Sequence, residues 1–447
     1  MNEETLIVIL GAGESGTGAA VLAKKNGFQV FVSEKGKIKD KYKKVLLHNG
    51  IEFEEGSHDE ARILSAKQII KSPGIPDTIP LIIKAQKAGI AIISEIEFAS
   101  RYTSAKLICI TGSNGKTTTS LLTYHILKQA GLNVGLAGNV GKSFAGLVAE
   151  REYDVFVLEI SSFQLDGMFE FKADIAILMN ITPDHLDRYD YDMKKYVDSK
   201  FRIIRNQTAD DYFIFCADDP IIEKEMKERE IFSQKIPFSL EKKCDFGACS
   251  YDDKLIINDN KDILIMTLEE LALQGKHNVY NSMAAGIGSR LMDVRKNNIK
   301  QCLSDFQNVE HRLENVGSVH GIEFINDSKA TNVNSTWYAM ESMRNKIVWV
   351  AGGVDKGNDY TKLIPLIREK VKAIICLGED NSKLIEAFSG MVDEMYETQS
   401  VDAAVEKAYQ IAKSGETVLL SPACASFDLF ESYEERGNQF KLAVKKL

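Results

Sequence analysis

Seven cysteines are spread along the 447 residues, yet no C-x-x-C pair and no Cys/His group at zinc spacing occurs. That excludes a zinc ribbon or thioredoxin-like redox centre written into the sequence. The positions 109, 216, 244, 249, 302, 376 and 424 suit free thiols of a reducing compartment. Positive charge is not in surplus either: 55 Lys and Arg face 64 Asp and Glu, a net charge of -9. This argues against a nucleic-acid partner while leaving room for a local basic pocket that takes a small anion. No apolar run exceeds strand length, and MNEETLIVIL is acidic before it enters a strand, so neither a leader nor a membrane partner is expected. What the chain does have is length and a 44% hydrophobic content, enough for two or three cores. The expectation is a cytoplasmic multidomain protein acting on a metabolite.

Short apolar runs that end in glycine or small polar residues alternate with helical patterns, the signature of α/β domains with mainly parallel sheets. LIVIL and FQVFV open a first set. LICITG, DVFVLEIS, DIAILMNIT and DYFIFCAD form a second, and KIVWVAGG, KAIICLG and ETVLLSPA a third. Polar breaks predict domains over 1–100, 101–308 and 309–447. In such sheets ligands bind beyond the carboxyl ends of the strands.

Two glycine loops follow predicted strands. GAGESGTG (11–18) satisfies G-x-G-x-x-G through Gly11, Gly13 and Gly16, and Glu34 stands where a ribose-binding acid is expected. Such a loop lets backbone amides approach any pyrophosphate, so NAD is only one of its readings. The second, ICITGSNGKTTTS, departs from G-x-x-x-x-G-K-[ST], because Ile110 stands where the first glycine belongs. Its strand, tight turn and amphipathic helix closed by Gly131 are nevertheless intact. A turn two residues shorter can still aim amides at a phosphate, with Lys116 supplying charge and Thr117 a hydroxyl for magnesium. Glu159 ends an apolar run where NTPases hold a metal-binding acid. His185 follows another strand, and Lys200 lies fifteen residues on in a helical stretch.

The short TGSNGKT loop, LEISSFQL, TPDHLDRY and GKHNVYN together resemble the Mur ligase family of amide-forming enzymes, whose phosphate loop has this abbreviated form. NDSKATN and SPACASFDLF resemble the members that add D-glutamate to UDP-N-acetylmuramoyl-L-alanine. The resemblance spans nearly the whole chain and is weakest in the first hundred residues. It implies a Rossmann-like N-terminal domain for the UDP-sugar, a central P-loop-type ATPase domain and a Rossmann-like C-terminal domain for the amino acid. It also implies ATP and two magnesium ions as cofactors, and a monomer.

Residue by residue, the resemblance implies ATP binding by Gly112, Ser113, Asn114, Gly115, Lys116, Thr117 and Thr118, by Asn278 and Asn281 around adenine, and by Arg312, Asp327 and Lys329 from the third domain. Thr117, Glu159, His185 and Lys200 would hold metal, the lysine as a carbamate that turns a repelling ammonium into an attracting oxygen anion. Ser15, Glu34, Gly74, Asn139 and His185 would face the UDP-sugar, Asn139 close to the reacting carboxylate. Thr331, Lys356, Ser426 and Tyr433 would take D-glutamate, whose two carboxylates need paired donors when buried. Two positions depart from the familiar pattern: Glu34 stands for Asp, and Tyr433 for Phe. A dehydrogenase would leave the second loop, Glu159 and His185 unused. A GTPase lacks its N-K-x-D motif here, and the ligase adding diaminopimelate lacks D-N-P-R.

Overall fold

The computed structural model describes residues 5–243, 245–259, 262–306, 311–355 and 357–447. Residues up to Phe306 form one compact unit and the remainder a second. The first unit holds two sheets. One is five-stranded and wholly parallel, in the order Glu52–Glu55, Gln29–Glu34, Leu6–Leu10, Gln68–Lys71, Ala91–Ile93.

The other has nine strands. Lys106–Thr111 lies at its heart, flanked by Val155–Glu159 and Ile175–Leu178. These strands are apolar on both faces because helices cover both sides, which is why they read as continuous runs and not as alternations. After Val155–Glu159 the chain crosses over the central strand to reach Ile175–Leu178. The crevice at the carboxyl end of Lys106–Thr111 is therefore a topological switch point.

The second unit carries a six-stranded sheet in the order Glu314–Val319, Ile322–Asn326, Thr417–Leu420, Ile347–Ala351, Val371–Leu377, Glu394–Thr398. Only its first pair is antiparallel. Trp349 is fully buried in its core and donates its indole N–H to the Ser421 carbonyl at 2.7 Å.

Two features escape the expected pattern. DIAILMNIT is strand only as far as Leu178, and Met179–Thr182 is a loop that receives the neighbouring glycine turn. Gly247–Tyr251, Lys254–Asn258 and Ile263–Thr267 add an antiparallel ribbon at the sheet edge. Its first hairpin turns through Asp252 and Asp253, both left-handed (φ 52° and 54°), which matches the right-handed twist of the strands.

Within the first unit the two sheets are joined by buried polar contacts. Helix Glu14–Lys25 meets helix Phe144–Glu150 at Gly18, where a Cβ would fall 2.0 Å from Ser143 Oγ. Ser143 in turn donates to Glu95 at 2.7 Å. Glu97, wholly buried, accepts the amides of Phe169 (3.0 Å) and Phe171 (2.9 Å), that of Glu170, and Arg101 Nη2 (3.0 Å). Glu97→Ala would strand three amides and a guanidinium, so it is expected to destabilise the first unit by roughly 3 kcal/mol. An unchanged urea midpoint would refute that role.

Candidate active site

The strand Lys106–Thr111 delivers Gly112–Gly115 to the start of helix Lys116–Gln129. Glycine is required at both ends of the turn. Gly112 has φ 151° with the Met179 side chain 2.9 Å from any added Cβ, and Gly115 has φ 82° with Asn281 Oδ1 at 2.5 Å. The turn is fixed from below: Ser113 N–H donates to Asn180 O (2.9 Å), Ser113 Oγ to Thr182 O (2.8 Å), and Asn114 N–H to Asn180 Oδ1 (2.8 Å). Thr117 and Thr118 are buried in the first helical turn, and the Thr118 hydroxyl has no hydrogen-bond partner.

Lys116 Nζ donates to the carbonyls of Gly112 (2.7 Å) and Ser113 (2.9 Å). Lys200 Nζ, from helix Met193–Phe201, donates to the same Gly112 carbonyl at 2.8 Å and approaches Thr111 Oγ1 at 3.3 Å. Burial, and secondarily the Lys116 charge, hold the Lys200 amine well below the usual lysine range. Glu159, also buried, ends its strand with Oε1 accepting from Asn139 Nδ2 (2.7 Å), while Oε2 has no partner. His185 adopts a left-handed backbone (φ 52°) that a non-glycine residue takes up at a cost, and its ring sits edge-on to Phe163 at 5.2 Å.

Lys116, Asn139, His185, Lys200, Pro73 and Gly74 line one cavity of about 320 Å³. Gly74 is brought there because Arg188, three residues after His185, reaches the carbonyls of Pro73 and Gly74. Six lining residues were not among the expected site residues: Pro73, Ser161, Ser162, Phe163, Asp184 and Tyr196. Tyr196 was within reach, since it precedes Lys200 by four on one helix and so shares its face. Ser161 proves to be a helix cap, paired reciprocally with Gln164.

The expected uridine residues lie at the first loop. Ser15 is half-buried in the first helical turn. Glu34 is engaged locally, accepting the amides of Ala12 (2.9 Å) and Gly36 (2.8 Å). Asn281 is buried behind the phosphate loop, where it accepts from Thr119 Oγ1 (3.2 Å) and donates to Asn278 Oδ1 (3.1 Å). Asn278 donates to Gln274 O at 2.9 Å.

In the second unit Asp327 lies at the carboxyl end of Ile322–Asn326 and accepts from Ser421 Oγ (2.9 Å) and Leu313 N–H (3.2 Å). Burial pushes its carboxyl up to about 7 against the opposing pull of Arg312, whose Nε is buried without a hydrogen-bond partner. Lys329 Nζ stands 5.1 Å over the Tyr433 ring. Thr331 N–H donates to Lys329 O, and Ser426 is buried with its carbonyl capping Phe430. Lys356 lies outside the described residues. A cavity of about 310 Å³ is lined by Val354, Asp355, Tyr360, Lys383, Cys424 and Asp428.

Arg436 gave no sequence signal. It is fully buried, and its guanidinium ties Ser328 (Oγ 3.0 Å, O 2.9 Å) to the carbonyls of Gly352 and Cys424. Burial lowers its pKa to about 10.

Comparison with known proteins matches three domain families. The MurD N-terminal domain covers residues 6–79, the Mur ligase middle domain 110–287, and the Mur ligase glutamate ligase domain 311–424. UDP-N-acetylmuramoylalanine–D-glutamate ligase of Christiangramia forsetii is 56% identical over 441 residues, 99% of each chain. Its Bacteroides fragilis counterpart is 58% identical over 443 residues, again 99% of each. Among solved structures, a pseudomurein peptide ligase type C from Methanothermus fervidus superposes with a TM-score of 0.64 at 20% identity, covering 99% of this chain and 100% of that one. UDP-N-acetylmuramate-alanine ligase of Thermotoga maritima gives 0.62 at 17%, with 99% of both chains covered.

Asp327 carries a pH dependence. Its raised pKa means that the folded protein keeps a proton which the unfolded chain releases near pH 4. The resulting stability is complete below about pH 4 and is lost as pH rises through about 7. Asp327→Asn cannot ionise, so its stability relative to the parent should rise by roughly 3 kcal/mol between pH 5 and 8. Urea titrations at the two pH values measure this, and parallel behaviour of the two proteins would contradict it.

Proposed function

Because the chain belongs to the Mur ligase family, we propose that it joins D-glutamate to UDP-N-acetylmuramoyl-L-alanine at the cost of ATP, as a cytoplasmic enzyme of peptidoglycan precursor synthesis. The observation that carries this reading is the abbreviated Gly112–Gly115 turn at the switch point. It opens a helix on Lys116, and that lysine shares one cavity with Asn139, His185 and Lys200.

The terminal carboxylate of the UDP-sugar attacks the γ-phosphorus of ATP; a new O–P bond forms as the bond to the β-phosphate oxygen breaks, giving an acyl phosphate and ADP. The D-glutamate amine then attacks the acyl carbon, loses a proton, and expels phosphate as the amide forms. No protein nucleophile takes part. Two anions must meet in the first step, and the helix start at Gly115–Thr118, past the Ser113 and Asn114 amides that are held by Asn180, is the natural cradle for the phosphates. Lys116, parked on two carbonyls, exchanges them for phosphate oxygens.

The donor set suits magnesium: Glu159 Oε2 is a buried hard oxygen without a hydrogen-bond partner, and with the Thr117 hydroxyl, His185 and a carbamylated Lys200 it would hold the ion. When bound, magnesium neutralises charge between the reacting anions. Asn139 orients Glu159 through its 2.7 Å contact. Asn278 and Asn281, with Arg312, Asp327 and Lys329, would complete the ATP site, and Thr331, Lys356, Ser426 and Tyr433 would bind D-glutamate. Ser15, Glu34 and Gly74 would face the UDP-sugar. The domain limits 1–100, 101–308 and 309–447 go with this division of labour.

A carbamate on Lys200 is supported by the amine's own state. Burial depresses its pKa well below the ordinary lysine value, two of its positions are directed at Thr111 and Gly112, and the deprotonated amine would offer its lone pair to carbon dioxide. Protein held in ¹³C-bicarbonate should show a single carbamate carbon resonance that Lys200→Arg lacks; the same spectrum from both proteins would remove this modification from the mechanism.

The function itself is tested by phosphate release with ATP, magnesium and UDP-N-acetylmuramoyl-L-alanine, offering D-glutamate, L-glutamate and other amino acids in parallel. Only D-glutamate should support turnover, and Lys116→Ala should abolish it without altering the fold. Equal rates with L-glutamate, or full activity of that variant, would overturn the assignment.

A further inference from the structure

The helix that begins at Lys116 carries a second cluster at its other end. His125 lies nine residues beyond Lys116, about 14 Å further along the axis. There the helix packs against Lys296–Asp305, which presents Cys302 and Asp305 three residues apart on one face. One ligand atom from each of His125, Cys302 and Asp305 lies within 4.8 Å of the others.

The imidazole is poorly accounted for by packing alone. His125 Nε2 is shielded from solvent and makes no hydrogen bond. Its nearest carboxylate oxygen, Asp305 Oδ1, stands at 3.6 Å, too far to accept a proton. The Phe306 ring closes the apolar side, edge-on at 5.4 Å. Cys302 is buried between the helices, and burial, aided by the Asp305 charge, raises its thiol pKa.

We propose that His125, Cys302 and Asp305 form a site for a transition metal of the zinc class, with water as fourth ligand, stapling the ATP-loop helix to the helix Lys296–Asp305. Nitrogen and oxygen ligands about 2.0–2.2 Å from a tetrahedral zinc stand roughly 3.3–3.6 Å apart, so the 3.6 Å His–Asp separation is already the edge of such a tetrahedron. The sulfur closes the site by moving roughly 1.3 Å at most, within reach of a side-chain adjustment. Coordination displaces the thiol proton to solvent and gives the orphaned imidazole nitrogen its partner. An N, S, O donor set favours zinc or cobalt over magnesium, which separates this site from the lone hard carboxylate oxygen of Glu159.

The test uses the purified full-length chain with Zn²⁺ and Co²⁺ as probes. One equivalent of Co²⁺ should produce a thiolate-to-cobalt charge-transfer absorption that persists in Glu159→Gln and vanishes in Cys302→Ser. Zinc affinity should fall at least tenfold in His125→Gln and in Asp305→Asn, and zinc should raise the thermal midpoint of the parent but not of Cys302→Ser. Far-ultraviolet circular dichroism establishes that each variant is folded, and the near-isosteric Cys302→Ser decides the matter should His125→Gln fail to fold. Absence of the charge-transfer band, or its persistence in Cys302→Ser, would overturn the proposal whatever the ligase assay shows.

Discussion

Two lysine nitrogens converge on one carbonyl oxygen, that of Gly112, and much of the site's organisation depends on this meeting. Two full ammonium charges so close together would repel strongly in a buried site. The conflict is eased because burial, with the Lys116 charge beside it, lowers the pKa of Lys200, the more buried of the two, and weakens its hold on a proton. The same arrangement turns the Lys116 ammonium onto two carbonyls at the wall of the cavity. The neighbouring carboxylate, Glu159, has one oxygen committed to Asn139 and one without a partner, an uncompensated charge that suits a cation.

Buried carboxylates divide into two kinds here, and their partners tell them apart. Glu97 is saturated by backbone amides and Arg101, and Glu95 holds Ser143 Oγ and the Ala145 amide while burial raises its pKa to about 7. Both fasten the layers of the first unit to each other. Glu159 and Asp327 instead sit at carboxyl ends of strands, where ligands of α/β sheets bind. In the second unit Arg436 has a role like that of Glu97 with the opposite charge. Its fork spans three loops through neutral oxygens, holding Ser328, Gly352 and Cys424 in register.

The strands LIVIL, LICIT, KIVWVA and TVLL were legible because both-sided burial demands unbroken apolar runs, and the glycine turns because only glycine tolerates their backbone angles. The Gly247–Thr267 ribbon was not. Its strands are short and half exposed, and its turn uses Asp-Asp in place of Asn-Gly. Gly18, just past the motif glycines, gave no signal of the close helix contact it serves.

By itself the sequence determined the layered α/β class and the two glycine turns, and it singled out Lys116, Glu159, His185 and Lys200 as candidates, because local conformation and side-chain type are properties of short segments. Only the tertiary structure decided that Gly74, from the first sheet's side, shares a cavity with Lys200, that Glu34 is occupied by its own loop, and that His125 meets Cys302 and Asp305. Those are juxtapositions of residues distant in the chain. They are set by which strand neighbours which and by which helices pack together, and no local pattern encodes either.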